Sequence, residues 1–135
     1  KLNAQGRTTT KVSIPTASVL TLNTIPIEAI PSPGIGYAIV VEKVIGYIAY
    51  VAPVYATNVN LQLFYETAGD AIVESSLLLV KTTTAYQELP FLYTIAAGTV
   101  QIVENEAVSI RVETGDPTLG NSDIAIYITW SLIQV

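Results

Sequence analysis

Cysteine, histidine and methionine are absent from this sequence, and charge is scarce: Lys and Arg together number 6, Asp and Glu 11, so that charged residues make up only 13%. Without cysteine there is neither a disulfide framework nor a thiolate metal site. Without histidine the chain lacks the commonest general base and the commonest transition-metal ligand. The basic residues stand singly in a chain of net charge −5, which disfavours a phosphate backbone and with it a nucleic-acid partner. Ordinary soluble domains carry about 25% charged residues, so the shortage points to a surface partly destined for burial against other protein. The longest apolar region, residues 37–55, is broken by Glu42, Lys43, Gly46 and Pro53. Its wealth of Val, Ile and Tyr suits strands, whereas a membrane helix needs about 20 apolar residues without central charges.

What is present is β pattern. Val108, Ile110 and Val112 alternate with Ser109, Arg111 and Glu113; further on, Ile124, Ile126, Ile128, Trp130 and Leu132 alternate with Ala125, Tyr127, Thr129 and Ser131. Side chains two apart on a strand share a face, so each run predicts a half-buried strand with Trp130 in the core. The Gly, Pro, Asp and Asn between the runs suit a chain reversal, and the two are expected to form an antiparallel pair at the centre of the domain.

Earlier segments have the same cadence. Residues 1–11 are polar, with a Thr8-Thr9-Thr10 run, and read as an extended arm; residues 12–135 are long enough for one domain. Pro26, Pro31 and Pro33 lie close together with Ile25, Ile27 and Ile30 between them, so Ile25 to Ile30 reads as an edge strand or an extended segment rather than a central strand. Thr67-Ala68-Gly69-Asp70 resembles a hairpin turn. Ala71 to Ser76 suits a helical turn and Leu77 to Val80 a strand. Gln87 to Ile95 is ambiguous, Ala96 to Thr99 reads as a turn, and Val100 to Val103 as a short strand. About eight strands at spacings near ten residues, with no convincing helix, predict an all-β fold, a jelly-roll-like antiparallel β-sandwich.

Reactive groups are few. Glu104 and Glu106 share a strand face, and paired carboxylates hydrolyse glycosides, but only across a cleft with one acid shifted by burial; a solvated turn explains them more simply. Asp116, Asn121 and Asp123, with Glu113 nearby, are oxygen ligands whose spacing matches no EF-hand loop, and Asp and Asn also stabilise turns. The threonine runs lack an activating base. No catalytic residue, metal ligand or cofactor is therefore assigned. Tyrosine is the conspicuous aromatic, at 8 against 2 Phe and 1 Trp. Tyr37, Tyr47, Tyr50 and Tyr55, with Ile48, lie in a region whose apolar residues have both parities. One core cannot receive all of them, so they are assigned to a homo-oligomer interface, with a glycan-stacking platform as the alternative use of exposed tyrosines.

The phrases Ile14-Pro15-Thr16-Ala17-Ser18-Val19-Leu20-Thr21-Leu22-Asn23, Tyr55-Ala56-Thr57-Asn58-Val59-Asn60-Leu61 and Val103-Glu104-Asn105-Glu106-Ala107-Val108, with the Thr114-Gly115-Asp116-Pro117-Thr118 turn, resemble small structural proteins of tailed bacteriophages. The resemblance implies a non-enzymatic virion component of the head-decoration (cement) or head-fibre type. It also implies location on the capsid surface, capsid protein as partner, and assembly as a homotrimer of jelly rolls. The alternative is a receptor- or glycan-binding fibre or tip domain facing a host surface glycan.

Overall fold

The computed structural model describes residues 6–92 and 102–135. Along the chain lie strand β1 (Thr8–Ile14), a single helical turn α1 (Thr16–Val19), then β2 (Ile27–Ile30), β3 (Tyr37–Ala49), β4 (Tyr55–Ala56), β5 (Leu61–Tyr65), β6 (Ala71–Ser75), β7 (Ala85–Glu88), β8 (Val108–Val112), β9 (Thr118–Leu119) and β10 (Asp123–Gln134). One sheet has the order β1-β10-β3-β7, the second β2-β8-β5-β6, and the two-residue strands β4 and β9 pair by themselves. Setting that small pair aside, the first strand lies beside the eighth, the second beside the seventh, the third beside the sixth and the fourth beside the fifth, all antiparallel. This is the jelly roll, a hairpin of strands rolled until its two halves become two facing sheets.

The core between the sheets follows from the alternation. Ile124, Ile126 and Ile128 of β10, Val108, Ile110 and Val112 of β8, and Leu61, Leu63 and Tyr65 of β5 are buried in one cluster. The Tyr65 hydroxyl donates across the sandwich to the Ile39 carbonyl at 2.8 Å, so the one polar atom of that side chain enters the core with a partner. Trp130, expected in the core, is instead half-buried at the margin of the cluster, and its indole N–H donates to the Thr10 hydroxyl at 2.9 Å.

The mixed parity of residues 37–55 has a local cause. Thr129 faces Lys43 while the next residue, Trp130, faces Val41, so Glu42 is an extra residue, a β-bulge in β3. Odd-numbered Ile39 and Val41 point inward before it, even-numbered Val44 and Ile48 after it. The bulge accounts for part of the surplus, and the remainder, Val40, Ile45 and Tyr47, faces outward. Gly46 does not interrupt the strand. A Cβ there would lie 2.6 Å from Leu78 Cδ2 and 2.9 Å from Leu89 Cδ1, which roof that part of the core.

Several expectations are corrected. The runs at Val108 and Ile124 form no hairpin: β8 and β10 lie in opposite sheets, and residues 113–122 carry the chain from one to the other. Each of these strands is flanked on both sides within its sheet, which alternation alone cannot distinguish from mutual pairing. Thr8 to Lys11 are no arm, since they pair with Tyr127 to Trp130 along the edge of the first sheet. Val19, at the end of the helical turn α1, and Leu22, in the turn that follows it, are buried. Ala71 to Ser75 form β6, and Leu77 to Val80 form turns that bury Leu78 and Leu79. Of the stretch Ile25 to Ile30, expected at an edge or merely extended, Ile27 to Ile30 form the edge strand β2, and the 67–70 turn joins β5 to β6. Within 87–95, Gln87 and Glu88 end β7. Residues 93–101, which include the expected turn at 96–99 and the first half of the expected strand at 100–103, lie outside the described residues, and Ile102 and Val103 are irregular.

One backbone position controls the end of the sandwich where β10 begins. Gly120 has φ +61°, and a Cβ on it would sit 2.0 Å from Cδ1 of Tyr55, a buried ring whose hydroxyl donates to the Ser122 carbonyl. Gly120→Ala combines a left-handed conformation that alanine disfavours with an overpacked contact, and is expected to cost about 2 to 4 kcal/mol. Urea unfolding should show a lowered midpoint. Gly46→Ala, which meets only the ends of two leucine side chains, should cost less.

Candidate binding face

The carboxylates singled out in the sequence serve as hydrogen-bond acceptors for loops, mostly for their backbone N–H groups. Asp116 Oδ1 accepts the N–H groups of Asn23 and Thr24, both at 2.9 Å, and its Oδ2 accepts the Thr24 hydroxyl at 2.6 Å. Asp123 Oδ1 accepts the N–H and the hydroxyl of Thr16, and Glu113 accepts the Asn60 amide. These acids fasten different loops and do not converge with Asn121 on one point; no cluster of three or more acidic ligands occurs among the described residues. At the opposite end Glu104 accepts the Gly36 N–H at 2.6 Å, while Glu106 accepts those of Thr67 and Ala68. The two glutamates thus fasten separate loops. Buried or loop-bound N–H groups need acceptors, and the acids supply them where no neighbouring strand can.

The two outer sheet faces differ. On β2-β8-β5-β6, Arg111 lies 4.0 Å above the Phe64 ring and donates to Gln62 and to the Gly69 carbonyl, Gln62 donates to Glu74, and Ser109 donates to Glu66. Gln62, Phe64 and Ser109 are buried by this network although they point away from the core. The face is closed by its own side chains.

On β1-β10-β3-β7 the register lays out rows across the sheet. Ser13, Ala125, Tyr47 and Tyr86 form one; Lys11, Tyr127, Ile45 and Glu88 form the next; Thr9, Thr129 and Lys43 the third. The ring of Tyr86 lies 4.7 Å from that of Tyr47 and 6.5 Å from that of Tyr127, tilted in both cases, and the Lys11 ammonium sits 5.6 Å from the Tyr127 ring centre. Two hollows flank Tyr127. One, of about 290 Å³, is bordered by Lys11, Ser13, Tyr47, Asp123 and Tyr127 and opens over Ala125, whose small side chain leaves the depression. The other, of about 370 Å³, lies between Thr9, Ile45, Tyr86, Tyr127 and Thr129. No described residue hydrogen-bonds the hydroxyls of Tyr47, Tyr86 or Tyr127, or pairs with Lys11.

The residues assigned to an interface are divided by the structure. Ile48 and Tyr55 are each 1% exposed and belong to the core, which corrects that assignment. Ile48 follows the bulge and therefore points inward, and Tyr55 is covered by Gly120. Tyr37, Tyr47 and Tyr50 are half-buried, and only Tyr47 belongs to the aromatic face. Sequence reading did not single out Tyr86 or Tyr127. Tyr127 carried a signal, since its parity in the last strand is opposite to that of the core isoleucines. Tyr86 carried none, because the four-residue strand that holds it is too short for a pattern.

At the end formed by the 31–36 and 102–107 loops, Ile35 is 83% exposed between Gly34 and Gly36, both of positive φ. The tip is held, since the Gly34 N–H donates to Asn105 Oδ1 at 2.9 Å and the Gly36 N–H to Glu104. The Asn105 N–H donates to the Tyr37 carbonyl and so ties the two loops together through their backbone as well.

The loop bonds make stability depend on acid. The Thr24 hydroxyl foremost, with the Thr24 and Asn23 N–H groups, holds the Asp116 carboxyl below its usual range, and the Ser131 hydroxyl, assisted by Arg7, does the same for Glu42. A carboxylate with a depressed folded pKa stabilises the fold above its unfolded pKa, about 4, and that contribution is lost as pH falls through the lower folded value. The melting temperature is therefore expected to decline as pH drops below about 4. In Asp116→Asn, whose amide oxygen still accepts both N–H groups, that decline should be smaller. Comparison of the chain with protein-family models, curated proteins and solved structures finds no match.

Proposed function

We propose that this chain is a non-enzymatic structural protein of a bacteriophage virion, which decorates or stabilises the capsid surface as a homo-oligomer. Its partners are copies of itself, in a trimer as the sequence resemblance implies, and the capsid protein beneath. The observation that carries this reading is the loop tip at Ile35. A large aliphatic side chain, 83% exposed, stands on a turn whose two flanking glycine N–H groups are both held by side chains of the 104–105 segment. A monomer gains nothing from an isoleucine in water on a braced loop. A subunit does, because an ordered apolar knob docks without the entropic cost of fixing a loose one. The jelly roll supports the reading as an architecture common in capsid domains, although fold alone assigns no function. The low charge content supports it as well.

Sedimentation velocity on purified protein, together with co-sedimentation with capsids, provides the test. The wild type is expected to sediment as an oligomer and to bind capsids. Ile35→Asp, at a position too exposed to affect folding, should weaken assembly or capsid binding at least tenfold with an unchanged melting temperature, an interface hot spot being worth about 2 kcal/mol or more. A persistent monomer that leaves capsids bare would refute the proposal.

A further inference from the structure

We infer that the outer face of the β1-β10-β3-β7 sheet, centred on Tyr86 and Tyr127 with Tyr47 beside them, binds a neutral oligosaccharide. Aromatic rings present flat apolar surfaces on which the C–H face of a pyranose can lie, and Tyr86, on the edge strand, is 66% exposed. Its separation of 6.5 Å from Tyr127 places two rings on the scale of adjacent sugar units. A sugar also needs hydrogen-bonding groups around its rim, and they are arranged beside the rings. The Lys11 ammonium has no carboxylate partner among the described residues. Both bonds from Thr16 fall on Asp123 Oδ1, leaving Oδ2 as an acceptor at the border of the smaller hollow. Ser13 adds a hydroxyll group there, and Thr9 and Thr129 line the second hollow. Aromatic walls with a few convergent polar groups are the composition of small-ligand sites.

The same inventory selects among occupants. Lys11 and Lys43 are offset by Asp123 and Glu88 across the rows of this face, so a polyanion or polycation gains little, while a neutral polyol can use donor and acceptor together. A second copy of the chain laid flat on this face would bury three phenolic hydroxyls and the Lys11 ammonium, each of which would need a partner to offset lost hydration. On the other sheet the outward-facing ring of Phe64 is covered by Arg111.

The site is independent of the Ile35 patch, and the experiment keeps the two readings apart. Intact protein would be screened on a printed array of neutral and acidic oligosaccharides, and binding measured by titration with cellohexaose, maltohexaose and chitohexaose. A neutral glycan is expected to bind, and Tyr86→Ala to weaken it on the order of tenfold, the worth of one lost aromatic contact with its buried area. Tyr86→Phe should retain most of the affinity, and Lys11→Gln should lower it while melting temperature, sedimentation and capsid binding stay unchanged. Absence of neutral-glycan binding on the array and in all three titrations would overturn the inference. So would binding that is indifferent to Tyr86→Ala, or an oligomer that dissociates in Tyr86→Asp, since the face would then be covered by a second copy.

Discussion

Strand β10 is hydrogen-bonded on both flanks, to β1 along Ile14 to Thr8 and to β3 along Ala49 to Tyr37. Everything else depends on that double pairing. It closes the jelly roll by joining the start of the chain to its end, and it sets Ile124, Ile126 and Ile128 against the second sheet. A strand paired on both sides has no freedom to slip, because a shift of one residue would place isoleucines outside and Tyr127 inside. The aromatic face is thus a consequence of the core register: the periodicity that buries the isoleucines presents Ala125, Tyr127 and Thr129 on the other side.

With strands so fixed, the loops at both ends have N–H groups that no sheet can satisfy. The chain meets this with acids and amides from distant parts of the sequence. Asp116 and Asp123 fasten the segment before β2 and the start of α1, and Glu104, Asn105 and Glu106 fasten the turns after β2 and β5. The scarcity of charge noted in the sequence acquires a meaning here, since many of the carboxylates are committed to backbone. The same fastening turns the Ile35 tip from a loose loop into a fixed projection, connecting loop architecture to the proposed assembly.

The two outer faces then divide the surface. Arg111, Gln62, Glu74, Ser109 and Glu66 close one with contacts internal to the chain, and the side chains on that face are committed to one another. The other holds Tyr47, Tyr86 and Tyr127, whose hydroxyls no described residue engages, beside two hollows. Binding at such a place needs no rearrangement of strands, because the rings stand on paired backbone and their spacing is set by the sheet.

Periodicity alone determined that the chain is all-β, that about eight strands form a sandwich, that the proline-flanked stretch Ile25 to Ile30 is no central strand and that the last strand buries Ile124, Ile126 and Ile128. These follow from local alternation and from proline, which act over a few residues. Which strands pair was decided by tertiary structure, since β8 and β10 have the same pattern whether they neighbour each other or face each other across the core. Local pattern was also silent on the bulge at Glu42, which reverses the parity of β3 and sends Ile48 inward, and on the Gly120 contact that encloses Tyr55. The candidate site was legible only in Tyr47 and in the parity of Tyr127; Tyr86 joins them because β7 pairs with β3 across nearly forty residues of chain, and a ring cluster assembled by register has no signature in any one of its strands.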